Sequence, residues 1–126
     1  MTPLIFALTI LAGGLGAGLR FVVDSLVRAR TGTGFPWGTM VVNVSGSLLL
    51  GLLTGLAASQ LLDAPWLTVL GVGVMGGYTT FSTATVESVR LLLERRPIAA
   101  ALNGLGMLAL CTAAAYLGLA AGAALG

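Results

Sequence analysis

The chain contains no histidine and one cysteine, and only 8% of its 126 residues carry charge. Without histidine and with a single thiol, a zinc site of nitrogen and sulfur ligands is nearly excluded, and a disulfide framework cannot form within the chain. Cys111 stands alone in an apolar stretch, where a free thiol packs as a small hydrophobe. No nucleophile is paired with a base that could activate it, which argues against an enzyme. The net charge is +2 and the pI about 9.3, but the arginines form no basic stripe. The excess therefore bears on membrane orientation rather than on nucleic acid.

What the sequence does have is apolar length. Hydrophobic residues make up 57% of the chain, and the mean hydropathy is +1.04. Residues 1–19, 31–62, 64–86 and 97–126 carry no charged side chain. About 20 apolar residues span the hydrocarbon core as a helix. These blocks predict a single membrane domain over 1–126 with four transmembrane helices, roughly 4–27, 37–60, 66–93 and 98–124. For residues 1–19 the alternative is a cleaved signal peptide, helped by Ala12, Gly13 and Gly14 but lacking a cation at its start.

Nineteen glycines supply close-packing surfaces. Gly14/Gly18, Gly51/Gly55, Gly73/Gly77 and Gly118/Gly122 are each four apart, so each pair lies on one helix face, where small residues let membrane helices approach. Some of these faces are expected to pack within the chain and the rest against a second subunit. The run Gly71-Val-Gly73-Val-Met-Gly76 fits a dinucleotide fingerprint, but it lies inside an apolar span with no strand before it. Asn43-Val-Ser45 fits a glycosylation sequon, yet its mid-span position makes Asn43 an intramembrane amide.

The third span carries the most information. Gly76-Gly77-Tyr78-Thr79-Thr80-Phe81-Ser82-Thr83 weakens a helix and frees carbonyls, which is tolerated at membrane depth only beside a cavity or another protein surface. Elsewhere the polar residues are few. Arg20 lies near the end of the first span with Asp24 one turn on, which offers either a structural ion pair or a vestibule cation that attracts anions. Asn43 offers two N–H donors, as interhelical glue or as a site. Glu87, Arg90 and Glu94 read as a solvated ion-pair ladder.

Three groups of residues then carry a family resemblance: Gly16-Ala17-Gly18-Leu19-Arg20-Phe21; Pro36-Trp37-Gly38-Thr39 with Asn43 and Gly46; and the Gly76–Thr83 string. In order and spacing, over about residues 12–96, the chain resembles the Fluc (CrcB) fluoride channels. The resemblance implies an all-α integral membrane protein in which two four-helix subunits, each with a broken third helix, form an antiparallel, dual-topology-type dimer with two fluoride pores. It also implies a structural Na+ on the dimer axis, held by the backbone carbonyls of Gly76 and Thr79. Hard cations favour oxygen ligands, as carbonyl rings in other channels do. Phe81 matches a pore phenylalanine that presents its positive ring edge to the anion, with simple core filling as its bland alternative. Asn43 matches the pore asparagine, Thr80, Ser82 and Thr83 flank the break as hydroxyl donors, and Arg20 would draw anions in. The implied activity is passive release of toxic fluoride across the plasma (inner) membrane.

Two departures qualify the match. The second pore phenylalanine of the family falls on Ala84, and its fourth-helix polar track falls near Asn103 and Met107, so only Asn103 keeps a polar group there. With four crossings, Arg28, Arg30, Arg95 and Arg96 lie on one side, while Asp63 and both termini lie on the other. Basic loops stay cytoplasmic, so the chain is expected to insert one way and to form one half of a heterodimer, although a homodimer remains an alternative. A non-conducting or partly conducting subunit and a small proton-coupled multidrug transporter are competing readings. The transporter needs a carboxylate in the first span, and residues 1–19 have none.

Overall fold

The computed structural model describes residues 1–126 and contains helices but no strands. Helix α1 (Pro3–Thr31) starts where the Thr2 hydroxyl accepts the Ile5 N–H at 3.2 Å and Pro3 takes the first turn, a position that needs no N–H. It stops at Gly32, whose φ of +75° is open to glycine at little cost. Helix α2 (Trp37–Ala58) follows a short loop. The third predicted span is two pieces, α3 (64–78) and α4 (Ser82–Leu93), separated by three non-helical residues. Helix α5 (Pro97–Ala124) completes the chain.

Helices α1, α2 and α5 are long and apolar enough to cross a membrane. Most of their large apolar side chains face outward, including Leu11, Phe21 and Leu117, as the lipid environment permits. The chain is an all-helical, multi-pass membrane protein. Two stretches are widened into i→i+5 turns, Thr68–Met75 in α3 and Leu102–Gly106 in α5. Such wide turns are uncommon and recur at functional sites.

Glycine sets how the helices pack. On the α2–α5 seam, a Cβ at Gly51 would lie 2.1 Å from the Ala115 carbonyl oxygen, and one at Gly118 would lie 2.1 Å from that of Leu48. On the α1–α3 seam, a Cβ at Gly16 would come within 2.0 Å of the Val74 oxygen and one at Gly77 within 2.1 Å of the Gly13 oxygen. Three of the four glycine pairs thus serve packing inside the chain. Gly14 and Gly18 do not: each is exposed, with nothing within 4 Å of an added Cβ.

The connections pair up at the two ends. Arg96, after α4, donates to the Gly34 carbonyl between α1 and α2. At the other end Ser59, after α2, donates to the Ala123 carbonyl at 3.1 Å, near the end of α5.

Candidate functional site

The helix does not break at Gly76 and Gly77, as the two adjacent glycines suggest. Both are helical, and Gly77 is needed for contact with α1. The interruption falls at residues 79–81, where Thr79 is extended at φ −80°, ψ 160°. Three side chains hold it there. Asn43, from α2, pairs with Thr80 at two points: Oδ1 accepts the Thr80 N–H and Nδ2 donates to the Thr80 carbonyl, both at 2.8 Å. Arg20, from α1, donates from Nη1 to the Thr79 carbonyl at 3.0 Å. The Thr80 hydroxyl accepts the Thr83 N–H at 3.2 Å and so caps the first turn of α4. In an uninterrupted helix the Thr80 N–H would bond the Gly76 carbonyl. Its capture by Asn43 leaves that carbonyl without its helical partner, on an exposed residue.

The consequence for Phe81 is geometric. With Thr80 tied to α2, the chain turns and Phe81 projects from the helical body, 85% exposed. It is therefore no core filler of this subunit. Two cavities flank the break, and Thr80 lines both. One, of about 360 Å³, lies among α2, α4 and α5 and is lined by Asn43, Phe81, Ala84 and Asn103. The other, of about 290 Å³, is lined by Arg20, Asp24, Thr39 and Thr83. The structure brings Arg20, Asn43, Thr80, Phe81, Ser82 and Thr83 to one locus. Asn103 reaches it through the larger cavity, while Gly76 lies on the outer face of α3.

Two sequence expectations are corrected. Arg20 and Asp24 do not pair: Arg20 turns to the Thr79 carbonyl, and Asp24 binds Arg28 at 3.0 Å instead. The acceptor that captures Arg20 is a backbone oxygen freed by the break, which a reading of side-chain spacing overlooks. Nor do Glu87, Arg90 and Glu94 form one solvated ladder. Glu87 is 4% exposed and accepts the Thr39 hydroxyl at 2.5 Å, with Arg90 at 3.9 Å, whereas Glu94 faces Arg96 at 3.8 Å. The Thr39–Glu87 pair joins α2 to α4 and is not anticipated from sequence. The signal that points to it is the i, i+4 spacing of Thr39 and Asn43, which places both on one helix face.

Asn43 has no free donor in this arrangement, since Nδ2 also reaches the Met107 sulfur at 3.1 Å. Asn103 is fully buried, and its Nδ2 donates to Ser88 Oγ at 2.9 Å and to the Ala84 carbonyl at 3.2 Å.

A multi-pass helical body with its polar groups gathered around a non-helical segment, and cavities on both sides of that segment, has the construction of channels and transporters. Known proteins narrow the class. The chain belongs to the family described as "CrcB-like protein, Camphor Resistance (CrcB)", which it matches over residues 7–119. It is 50% identical over 119 residues to the "Fluoride-specific ion channel FluC 1" of Leifsonia xyli subsp. xyli, covering 94% of this chain and 87% of that one. It is 48% identical over 117 residues to "Fluoride-specific ion channel FluC 2" of Cutibacterium acnes, covering 89% and 92%. With the "Fluoride-specific ion channel FluC" of Shewanella amazonensis it shares 44% over 112 residues, covering 88% and 90%. These relatives are named as channels, not as enzymes, in keeping with the residues this chain contains.

Proposed function

We propose that this chain is a subunit of a fluoride channel that releases fluoride from the cytoplasm by passive conduction across the plasma (inner) membrane. The observation that carries this reading is Phe81, projected from the break and flanked by the hydroxyls of Thr80, Ser82 and Thr83. Fluoride is small and strongly hydrated, so a pore must replace its water with O–H, N–H or the positive edge of an aromatic ring. A ring that no residue of its own subunit covers is placed to line a path shared with a second subunit. Arg20 and Asp24 both line the smaller cavity; with Asp24 paired to Arg28, Arg20 is the cation there that an entering anion would meet. The alternative of a proton-coupled transporter finds no support in α1, whose apolar stretch before Arg20 has no carboxylate.

The functional unit is an antiparallel pair of such subunits, each crossing the membrane four times, with α3 and α4 forming the third crossing in two pieces. The uncovered Gly14/Gly18 face and the exposed Phe21 and Phe81 support a second subunit, since small residues make membrane helix interfaces. Gly76 lies on an outer face, where its unpartnered carbonyl suits a sodium ion shared with the partner; the Thr79 carbonyl accepts from Arg20 and would have to hold the ion through its second lone pair or exchange that contact for it. The chemistry such an ion supplies is structural: it neutralises carbonyl oxygens that have lost helical donors.

We favour a heterodimer. Arg96 binds the Gly34 carbonyl, so both arginine-bearing connections sit at one end of the molecule, while the other end has Asp63 and no arginine. Such a bias fixes insertion, with both termini outside. A second reading, a subunit that conducts only in part or not at all, is favoured by one observation: Ala84 leaves a cavity wall where a second ring would stand.

The experiment is fluoride efflux from liposomes, followed with an electrode, for the purified chain alone and with a partner encoded beside it. Efflux in either preparation is expected. Its absence from both, with the dimer verified, refutes the channel reading.

A further inference from the structure

Five of the six arginines lie toward one end of the molecule, and three of these are answered by carboxylates. Asp24 holds Arg28 at 3.0 Å, Glu94 holds Arg96 at 3.8 Å and Glu87 lies 3.9 Å from Arg90. The sixth, Arg20, donates to the Thr79 carbonyl. Arg30 and Arg95 are left over: both are exposed, and neither makes an ion pair or a side-chain hydrogen bond. Since Arg20 and Asp63 offset each other in the count, these two account for the whole net charge of +2. They share one end because Arg96 ties the connection after α4 to Gly34, and because one cleft is lined by Arg28 and Gly32 together with Arg90 and Glu94.

Length places this end among lipid headgroups. Helix α1 has 29 residues, about 43 Å of helix against a hydrocarbon core of about 30 Å. Its first charged residue is Arg20, so the surplus lies at the arginine end and carries Arg28 and Arg30 beyond the core. Trp37, exposed and tilted against Phe35 at 4.8 Å, marks the same depth, since tryptophan favours the membrane–water interface. We infer that Arg30 and Arg95 hold the phosphate of an anionic phospholipid in the leaflet at this end. The planar N–H pairs of a guanidinium match two phosphate oxygens, and each cation near an anionic surface adds to the attraction. The opposite end, where Asp63 is the one charged side chain, offers no such site. The lipid clamps together the two connections that Arg96 already joins. Nothing in this inference depends on conduction.

The backbone supplies a variant that separates binding from folding. Arg95 has φ +59°, a conformation that glycine adopts at little cost, so Arg95→Gly removes the charge without straining the chain. The experiment is thermal unfolding of the purified native assembly in neutral detergent, titrated with phosphatidylglycerol, phosphatidylcholine or inorganic phosphate. The midpoint is expected to rise with phosphatidylglycerol alone, because a ligand of the folded state stabilises it. Arg30→Gln and Arg95→Gly are each expected to need about fivefold more phosphatidylglycerol for half the rise, with no fall in the lipid-free midpoint of Arg95→Gly. Arg28→Gln removes the same charge from a paired position and is expected to leave the titration nearly unchanged. Equal rises with the two lipids, or unshifted titrations in Arg30→Gln and Arg95→Gly, overturn the site. An equal shift in Arg28→Gln also overturns it, leaving a diffuse effect of net charge. A rise with inorganic phosphate at the same concentration assigns the pair to a soluble anion and overturns the lipid.

Discussion

At the scale of single residues, Asn43 does at the break what a neighbouring strand does in a sheet: it meets both the N–H and the C=O of one residue. Asn43→Leu strands the buried Thr80 N–H and carbonyl together. The expected cost is about 2–3 kcal/mol, from the usual penalty for unpaired buried polar groups. It would be read as a lower denaturation midpoint in detergent together with reduced fluoride efflux. Unchanged stability would show that the break holds without α2. The two adjacent glycines part company in the same way. Gly77→Ala sets a methyl 2.1 Å from the Gly13 carbonyl oxygen, whereas Gly76→Ala meets nothing within 4 Å. The first is expected to lower the thermal midpoint of the chain and the second to leave it unchanged, any effect of Gly76→Ala appearing only in subunit association. Sequence reading picks out Arg20, Asn43 and the Thr79–Thr83 run because polar groups in an apolar span are rare and costly. It does not find their partners. Backbone carbonyls accept from Arg20 and Asn43, and a carbonyl freed by a break leaves no mark in the residue alphabet.

At the scale of elements, the predicted spans agree with α1, α2 and α5 to within a few residues, because apolar length between charges sets them. The third predicted span is occupied by α3 and α4, neither of which is by itself long enough to cross a membrane, and the interruption lies beyond the glycine pair, where Gly77 packs against α1. The wide turns at Thr68–Met75 and Leu102–Gly106 are not legible: neither contains a proline, and the two glycines in each do not set them apart from glycine-bearing stretches such as Gly51–Gly55 that stay regular. The α2–α5 seam is the most glycine-dependent contact. Gly118→Val sets a branched side chain against the Leu48 carbonyl and must force the helices apart, while Gly106→Ala on the same helix meets open space. Thermal melting in detergent is expected to separate the two, with a marked loss for Gly118→Val and little change for Gly106→Ala. Equal midpoints would mean that the seam relaxes without cost.

At the scale of the whole molecule, orientation is the testable property. After Cys111→Ala, single cysteines near Asp63 and near Arg95 would be exposed in turn to an impermeant thiol reagent in intact cells. Labelling near Asp63 alone is expected from the arginine placement. Comparable labelling of both positions would mean that the chain inserts both ways, and a homodimer would then replace the favoured heterodimer.

The break between α3 and α4 has an electrical consequence as well as a steric one. Each helix carries a macrodipole with its positive end at the N-terminus and its negative end at the C-terminus. Cutting one helix at residues 79–81 turns the negative end of α3 and the positive end of α4 toward each other across three residues. A cation and an anion can then each be favoured near the same short segment by fixed peptide dipoles, with no carboxylate or imidazole in the segment itself. Because peptide dipoles do not titrate, this part of the ion preference is expected to stay constant across the physiological pH range.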